Sequence, residues 1–359
     1  PSEDNRAVRF LSEEEIYQRL SNNQHGRVLD LSGTSFETPK SIRLLEGIAA
    51  TQSIYEVNLS NCRFTAPAFK ALCEALRLNE SVRQVYLTDA VLPQGALEGL
   101  GEALKYNMTL DHLLLPLDHP FTAEEISIFY DHIHFNTALA FIGWPQKVLK
   151  EVEKQAQTHP TALVHLGFLY SSPLMTMSKP AKDHKTMEYF KKADKLKHPL
   201  GAYGLAKIYQ KQENYTEALK FYERAADADH AHSQMILSTY YRALWPQKSP
   251  LLSEPDYLQA FNWARQAAHL GFPEALYRVG RMYEAGRYVQ HSLTKAGAYF
   301  HDAIQKGHPE AFTALGMLYN NPDYAYYDPE KAMSYLELAK RYTHLFSTAT
   351  RLLKNIEDH

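Results

Sequence analysis

The sequence is poor in cysteine, with only Cys62 and Cys73 among its 359 residues. Two cysteines cannot make the disulfide framework of a small secreted protein, and they suit a reducing compartment. No apolar run approaches the length of a membrane span, and the opening PSEDNRAVRF has no signal-peptide core. We therefore expect a cytoplasmic protein with no membrane-spanning helix.

An excess of charge of one sign is also missing, because 38 basic residues stand against 41 acidic ones and give a net charge of −3. The first 150 residues hold 13 basic and 19 acidic side chains, and the remainder holds 25 and 22. Neither part has the strongly basic surface that nucleic-acid binding requires, so we expect no nucleic-acid partner. Apolar residues at 45% are sufficient for folded cores.

The motifs of common enzymes are absent as well. There is no Gly-x-Ser-x-Gly motif, no glycine loop that would cradle phosphate, and no spare cysteine beside a histidine. The runs at 227–232 and 131–134 contain residue types that bind metals. The first lies at a turn between repeats, and the second places His132 and His134 on different faces of a helix. We therefore expect no catalytic residue, no metal and no cofactor.

Short amphipathic helices recur in pairs in the C-terminal half. The first helices carry a small-x3-Leu-Gly-x2-Tyr pattern or a looser copy, starting at Ala162, Gly201, Ser233, Ala275 and Ala311. The second helices carry a small-x2-aromatic-x3-Ala pattern, starting at Thr186, Ala218, Ala260, Ala296 and Ala332. One such pair cannot bury its apolar face alone, so neighbouring pairs must stack. The units resemble Sel-like repeats, which are related to tetratricopeptide repeats, and this resemblance implies an all-α superhelix.

A second period precedes the helix pairs. A Leu-x-x-Leu-x-Leu pattern starts at Ile54, Val82 and Leu110, each 28 residues after the last, with degenerate copies at Gly26 and Leu139. The alternation predicts short strands, and apolar stripes between them predict helices. Asparagines stand three residues before four of these starts, at Asn23, Asn79, Asn107 and Asn136. The units resemble leucine-rich repeats of the ribonuclease-inhibitor type. That resemblance implies a parallel α/β horseshoe with Cys62 in its inward ladder and Cys73 on a packed helix.

Together the two periods predict a two-part solenoid, an α/β leucine-rich-repeat horseshoe followed by an all-α Sel-like and tetratricopeptide-like superhelix. A capping box from Ser12 to Glu15 should begin the first helix. The predicted parts are an N-terminal capping segment and helix at 1–22, the leucine-rich-repeat domain at 23–146, a connecting helix at 147–159, five Sel-like repeats at 160–343 and a C-terminal capping helix at 344–359.

Strand residues that alternate with the buried leucines should face the concave side of the horseshoe. On this side we select seven candidate contacts with a partner protein: Glu56, Asn58, Gln84, Tyr86, His112, Leu114 and Phe141. Exposed aromatic and aliphatic side chains such as Tyr86, Leu114 and Phe141 carry much of the energy of protein binding. The alternative for Leu114, Phe141 and Trp144 is packing against the adjacent helical array.

In tetratricopeptide-like arrays the first helix of each pair lines the inner groove. By that resemblance six residues are candidates for the groove: Phe168, Tyr203, Lys207, Arg242, Tyr277 and Arg281. The three cations with two tyrosines beside them would suit an acidic segment of a partner. The alternative is a row of solvated charges on helix faces.

These features predict a monomeric, non-catalytic protein-binding protein, either an adaptor or a stoichiometric inhibitor or regulator of another protein. Both repeat types also recur in proteins that intracellular bacterial pathogens deliver into host cells. That resemblance implies an effector, or a regulator of one, in a host cytosol, with a host protein or another effector as partner. Two alternatives are an enzyme with a histidine and carboxylate site at the seam between the arrays, built around His112 and His119, and a self-assembling scaffold.

Overall fold

The computed structural model describes residues 12–21, 26–246 and 254–342. The chain divides into two compact units, Pro1–Ala228 and Asp229–His359. Asn23 and the predicted capping helix at 344–359 lie outside the described residues. The five predicted parts of the chain remain predictions, and the units do not follow the boundary between the two repeat types.

The first unit opens with α1 (Glu13–Ser21), which begins at the predicted capping box. The Ser12 hydroxyl accepts a hydrogen bond from the Glu15 backbone N–H at 3.3 Å. In return the Glu15 carboxylate accepts from the Ser12 N–H at 2.8 Å. Ile16 and Leu20 are buried on one side of the helix, as its apolar stripe predicted.

Five short strands form a parallel sheet in chain order: β1 (Val28–Asp30), β3 (Glu56–Asn58), β5 (Gln84–Tyr86), β6 (His112–Leu114) and β7 (Phe141–Gly143). Two shorter strands, β2 (Ser35–Phe36) and β4 (Arg63–Phe64), pair in a second parallel sheet. Glu56 is opposite Gln84, which is opposite His112, so the register advances by the 28-residue period. The last step, from His112 to Phe141, is 29 residues. The predicted parallel α/β part is confirmed.

A helix lies in each connection between the long-sheet strands: α2 (Pro39–Gly47), α3 (Ala66–Leu78), α4 (Ala96–Leu104) and α5 (Ala123–Ile133). A 3₁₀ turn, Ile48–Ala50, follows α2. Three of the helices begin at a threonine whose hydroxyl accepts a backbone N–H: Thr38, Thr65 and Thr122. Such caps satisfy N–H groups that the helix itself leaves unbonded. The helices cover the side of the sheet that carries the buried leucines and valines.

Buried asparagines connect successive repeats. Asn107 donates from its side-chain amide to the carbonyl oxygens of Leu76 at 2.6 Å and Asn79 at 3.2 Å. Its own side-chain oxygen accepts from the backbone N–H groups two and three residues later. Asn79 and Asn136 make the corresponding bonds one repeat earlier and one repeat later. The asparagine period seen in the sequence therefore reflects a column of buried hydrogen bonds.

The helical part of the first unit starts with a 3₁₀ turn, Gln146–Val148, and the short α6 (Leu149–Gln155). Two helix pairs follow: α7 (Pro160–Ser171) with α8 (Lys179–Lys195), and α9 (Pro199–Lys211) with α10 (Tyr215–Asp227). Phe190 of α8 lies against Gly167 of α7 and Gly204 of α9. A Cβ at either glycine would lie 2.5 Å from the ring. The glycines therefore allow the helices to approach closely.

Trp144 lies in the core, with its ring edge-on to those of Phe121 and Phe129 of the α/β part. Its indole Nε1–H donates to the Tyr130 hydroxyl at 3.1 Å. That hydroxyl contacts Nδ1 of His165 on α7 at 3.2 Å, and the opposite ring nitrogen of His165 lies 2.9 Å from the Leu139 carbonyl oxygen. A buried polar chain thus links α5, α7 and the segment that leads into β7.

The second unit contains three helix pairs: α11 (Ala231–Tyr241) with α12 (Tyr257–His269), α13 (Pro273–Ala285) with α14 (Leu293–Gln305), and α15 (Glu310–Tyr319) with α16 (Pro329–Tyr342). The predicted stripe of α14 included Tyr299, but the adjacent Phe300 is the fully buried ring. Phe300 lies against Gly280, where an added Cβ would be 2.6 Å from it. All five predicted helix pairs are present. Over the described part of the chain, every helix is too short or too polar to span a bilayer.

Candidate protein-binding surfaces

The sheet surface of the first unit is formed by side chains on the outer face of four strands: Glu56, Asn58, Gln84, Tyr86, His112, Leu114 and Phe141. His112 is exposed and the other six are half-buried. The strand residues between them are fully buried: Val57, Val85, Leu113 and Ile142. Because successive strand residues point to opposite faces, the predicted division into core and surface positions is the one observed.

Asp111 is an electrostatic centre of this surface. It is hydrogen-bonded to His112 through that ring's Nδ1. Burial raises the pKa of Tyr55, and the carboxylate of Asp111 raises it further. In the same way burial and Asp111 raise the pKa of Tyr203, on α9, to about 12. Asp111 therefore acts on one tyrosine beside the sheet and on another from the helix pairs of the same unit.

Two pairs of aromatic rings lie in the first unit, one on the sheet and one on the helices. The rings of His112 and Phe141 lie 5.4 Å apart, and those of Phe168 and Tyr203 lie 6.3 Å apart. Phe141, Phe168 and Tyr203 pack against the core yet remain half-exposed. Lys207 is exposed one turn farther along α9. Each of these rings thus has one side fixed by packing and another side available for contact.

The arginine pocket of the second unit has a volume of about 440 Å³. Four guanidinium groups line it: Arg242, Arg278, Arg281 and Arg287. Three phenol rings line it as well: Tyr257, Tyr277 and Tyr288. Most of these residues come from α13 and the segment that follows it, and Tyr257 comes from the start of α12. Basic and aromatic side chains therefore converge in one place.

Two of the four arginines are held by acidic side chains of this chain. Arg278 donates from Nε to Glu274 at 2.7 Å and from Nη1 to the Thr239 hydroxyl at 2.9 Å. Arg281 is paired with Glu284. Each pair lies three or four residues apart on α13, the spacing that brings side chains together on a helix.

Arg242 has different surroundings. Burial lowers its pKa, and the guanidinium groups of Arg278 and Arg287 lower it further. Within the described ranges no carboxylate is bonded to Arg242 or to Arg287. The pocket therefore holds two guanidinium groups whose charge the described residues do not neutralise.

Two stacked tyrosines form an aromatic wall of the pocket. The rings of Tyr257 and Tyr288 lie 3.9 Å apart and nearly parallel, at 10°. Tyr288 has a φ of +65°, a backbone conformation that residues other than glycine rarely adopt. The preceding turn also contains Gly286 at φ +61°. The turn and the stack hold this ring beside the guanidinium groups.

The structure groups the predicted groove residues by unit. Arg242, Tyr277 and Arg281 line the same pocket, whereas Tyr203 and Lys207 belong to the first unit. The sequence prediction missed Arg278 and Arg287. Arg278 could have been found, because it precedes Arg281 by three residues on one helix. Arg287 follows the helix end in a turn with no periodic pattern.

The histidines of the alternative enzyme site and of the run at 227–232 make ordinary structural contacts. The ring of His112 lies 5.4 Å from that of Phe141, and the ring of His119 lies 4.5 Å from that of Phe121. His230, in the run at 227–232, caps α11 by accepting from the Ser233 N–H at 3.3 Å. Over residues 12–21, 26–246 and 254–342, no group of three or more His, Cys, Asp or Glu side chains could hold a metal ion.

Repeated antiparallel helix pairs define the class of helical repeat proteins. The Sel1 repeat family model matches residues 199–230, 249–272, 273–308 and 309–341. The chain thus contains Sel1 repeats, as predicted, and α7, α8 and α11 lie outside the matched segments. Sel1-repeat proteins mediate protein–protein interactions and are generally non-enzymatic. The comparisons give no support for leucine-rich repeats at the N-terminus.

One solved structure has a similar fold, and other structures match with lower scores. A protective antigen of uropathogenic Escherichia coli strains, described as displaying an SLR fold, is 14% identical; the match covers 99% of this chain and 66% of that one, with a TM-score of 0.50. A Sel1 repeat protein from Oxalobacter formigenes is 22% identical over 64% of this chain and 87% of its own, with a TM-score of 0.49. An immunity protein from Pseudomonas aeruginosa is 18% identical, and the match covers 64% of this chain and 82% of that protein, with a TM-score of 0.35. No curated protein matches the sequence.

Proposed function

We propose that the protein binds another protein without catalysing a reaction, as an adaptor or a stoichiometric inhibitor or regulator, and that the sheet surface of the first unit is its main interface. The observation that carries this proposal is the alignment of surface side chains in two columns across adjacent strands. One column runs from Glu56 through Gln84 and His112 to Phe141. The other column is Asn58, Tyr86, Leu114 and Gly143.

The columns change from polar to apolar along the sheet. Neighbouring strands lie about 4.8 Å apart, so each column is a continuous strip of surface. Leu114 extends over Gly143, where an added Cβ would be 2.6 Å from Leu114 Cδ2. At the apolar end of the strip the Leu114 side chain therefore covers Gly143, and this end is suited to contact with an apolar patch on a partner.

The anchors on this surface are held before any partner arrives. The Tyr86 hydroxyl donates to Gln84 Oε1 at 2.7 Å, which fixes the direction of the ring. Phe141 is supported by the His112 ring on one side and the core on the other. Side chains that are already ordered lose less conformational entropy on binding, so more of their contact energy contributes to affinity.

The finer assignments belong to the same proposal. We assign residues 23–146 to leucine-rich repeats of the ribonuclease-inhibitor type, supported by the 28-residue strand register and the Asn107 hydrogen-bond column. We also propose a monomer in the cytoplasm, and the buried free thiols of Cys62 and Cys73 support the reducing compartment. A role as a pathogen effector, or as a regulator of one in a host cytosol, is supported by the resemblance of its repeats alone.

The test is a tagged pull-down with quantitative mass spectrometry, using lysate from the native cell type and from a candidate host. The interface variant is Tyr86→Asp with Leu114→Asp. The matched control is Tyr106→Asp with Leu78→Asp, which changes the same residue types at exposed positions near helix ends. We expect a near-stoichiometric protein that is lost with the interface variant and kept with the control, both folded by circular dichroism. Retention by both variants, or the absence of any enriched protein, would contradict the proposal.

A further inference from the structure

The arginine pocket carries an unbalanced charge. It holds four guanidinium groups, and among the described residues Glu274 and Glu284 neutralise Arg278 and Arg281 only. Two positive charges remain, on Arg242 and Arg287. Arg242 is half-buried and Arg287 is exposed. Like charges that lie close together repel one another, and the partial burial of Arg242 reduces the solvent screening around its guanidinium group. An anion placed between them would relieve this repulsion.

The guanidinium groups are also positioned to receive a ligand. Arg278 is fixed at two nitrogens, by Glu274 and by Thr239, and Arg281 is fixed by Glu284. Arg242 lines the same pocket and is half-buried. A planar guanidinium group pairs with a carboxylate through two parallel N–H···O bonds, so Arg242 and Arg287 can each bind one.

The remaining walls of the pocket are apolar. Leu244 is 49% exposed at its edge, Met282 lies inside, and the stacked pair of Tyr257 and Tyr288 forms one side. A small inorganic anion would leave these surfaces uncovered. A peptide that carries an acidic side chain next to a leucine or phenylalanine would satisfy both the charge and the apolar walls.

We propose that the arginine pocket binds a peptide segment of a partner protein in which acidic residues flank an apolar residue, with Arg242 and Arg287 as the carboxylate-binding groups. This inference rests on the proposal that the protein binds other proteins, but it uses no residue of the sheet surface. The second unit therefore has its own recognition chemistry, and a partner can be held by either unit.

The test uses the full chain on a peptide array. The array contains peptides with two acidic residues on each side of a Leu-Phe pair in varied order, the same peptides with Asn and Gln in place of Asp and Glu, and acidic peptides with Ser in place of Leu and Phe. We expect the wild type to select the acidic apolar peptides. Equal binding of the amide set would overturn the proposal, and so would equal binding of the acidic set that lacks apolar residues.

Variants then assign the site. Arg242→Gln and Arg287→Gln should each lower the affinity for the best-binding array peptide by about tenfold, as expected when one close charge pair is lost. Arg242→Lys should lower this affinity less, because the positive charge remains although the planar guanidinium group is lost. Arg265→Gln, an exposed arginine on α12, is the matched control. Unchanged affinity in the two pocket variants would overturn the assignment.

Two further arms separate this proposal from its alternatives. Inorganic phosphate that displaces the peptide at micromolar concentration would indicate a simple anion site and overturn the peptide assignment. The Tyr86→Asp and Leu114→Asp variant should bind the peptide as the wild type does. That result would support the arginine pocket even if the sheet surface captured no partner in the pull-down.

Discussion

The side-chain amide of Asn107 donates to the backbone carbonyl of Asn79, its counterpart one repeat earlier, at 3.2 Å. Asn136 in turn donates to the carbonyl of Asn107 at 2.9 Å. All three side chains are buried. Each asparagine thus bonds to its own repeat and to the preceding one, and this couples the stability of neighbouring repeats.

Asn107→Ala should lower the free energy of unfolding of the first unit by about 3 kcal/mol, because it leaves several buried backbone groups without partners. Asn320→Ala is the control, since that side chain is exposed in the second unit. Urea denaturation followed by tryptophan fluorescence would measure both, with Trp144 reporting on the first unit. A loss for Asn107→Ala no larger than for the control would show that the column contributes little.

Gly204→Ala should destabilise the first unit by about 1–3 kcal/mol, because the new methyl group overlaps the Phe190 ring. Gly99→Ala is a matched helical substitution, and its nearest neighbour would be Cys73 Sγ at an ordinary 3.4 Å. That change should stabilise the protein by up to about 1 kcal/mol through helix propensity. Thermal unfolding of both variants gives the comparison. Two shifts of the same sign would refute the close-approach explanation.

Two buried histidines should make the first unit sensitive to acid. Burial lowers the pKa of His165 to about 3 and that of His198 to about 4. In the unfolded chain a histidine binds its proton near pH 6.5, so between pH 6.5 and 4 the unfolded state holds more protons. The free energy of unfolding should therefore be unaffected by these groups above pH 6.5. Below pH 6.5, each histidine should lower the free energy of unfolding by up to about 1.4 kcal/mol per pH unit.

The comparison of variants isolates this effect from the titration of carboxylates. His165→Gln removes one titrating group, so its stability should fall less steeply than that of the wild type between pH 6.5 and 4. His184→Gln, at an exposed position, should retain the wild-type slope. Urea midpoints at several pH values give the slopes, and equal slopes for the wild type and His165→Gln would contradict the prediction.

Both thiols should be inert in the folded protein. Burial raises the pKa of Cys62 to about 11 and that of Cys73 to about 12, so each stays protonated at pH 8. The reactive species is the thiolate, and both residues are buried. Iodoacetamide labelling read by mass spectrometry should modify both cysteines in urea and neither in buffer on the same timescale. Rapid native labelling of either one would contradict the packing described above.

The strands and helix pairs could be predicted because their side chains repeat at fixed intervals. A 28-residue step places Val57, Val85 and Leu113 on the same face of adjacent strands, and a slip of one residue would move a strand's buried side chain to the opposite face. The choice between Tyr299 and Phe300 could not be made in this way. An apolar helix stripe is about 100° wide, so it includes neighbouring residues, and the close approach of Gly280 decides which ring is buried.

Tertiary contacts determine the features that the repeat periods of the sequence could not predict. The sheet and the first two helix pairs lie in one compact unit, and buried hydrogen bonds join His165 of α7 to Tyr130 and Leu139. No pattern in the sequence marks that junction. The arginine pocket was predicted in part, from Arg242 and Arg281. Arg287 reaches it from a turn whose left-handed residues follow no period, so its position depends on the folded loop.

The bonds between Asn107 and Asn79 also determine how this protein can change in length. A duplicated segment of 28 residues would offer the next asparagine the same carbonyl oxygens, so the sheet could grow by one strand without a new core. An insertion of another length within a repeat would separate donor from acceptor, unless it bulged out from an exposed loop. Growth by whole units also adds a fresh row of strand side chains to the surface each time. New partner preferences could then arise by copying and altering one row while the older rows keep theirs.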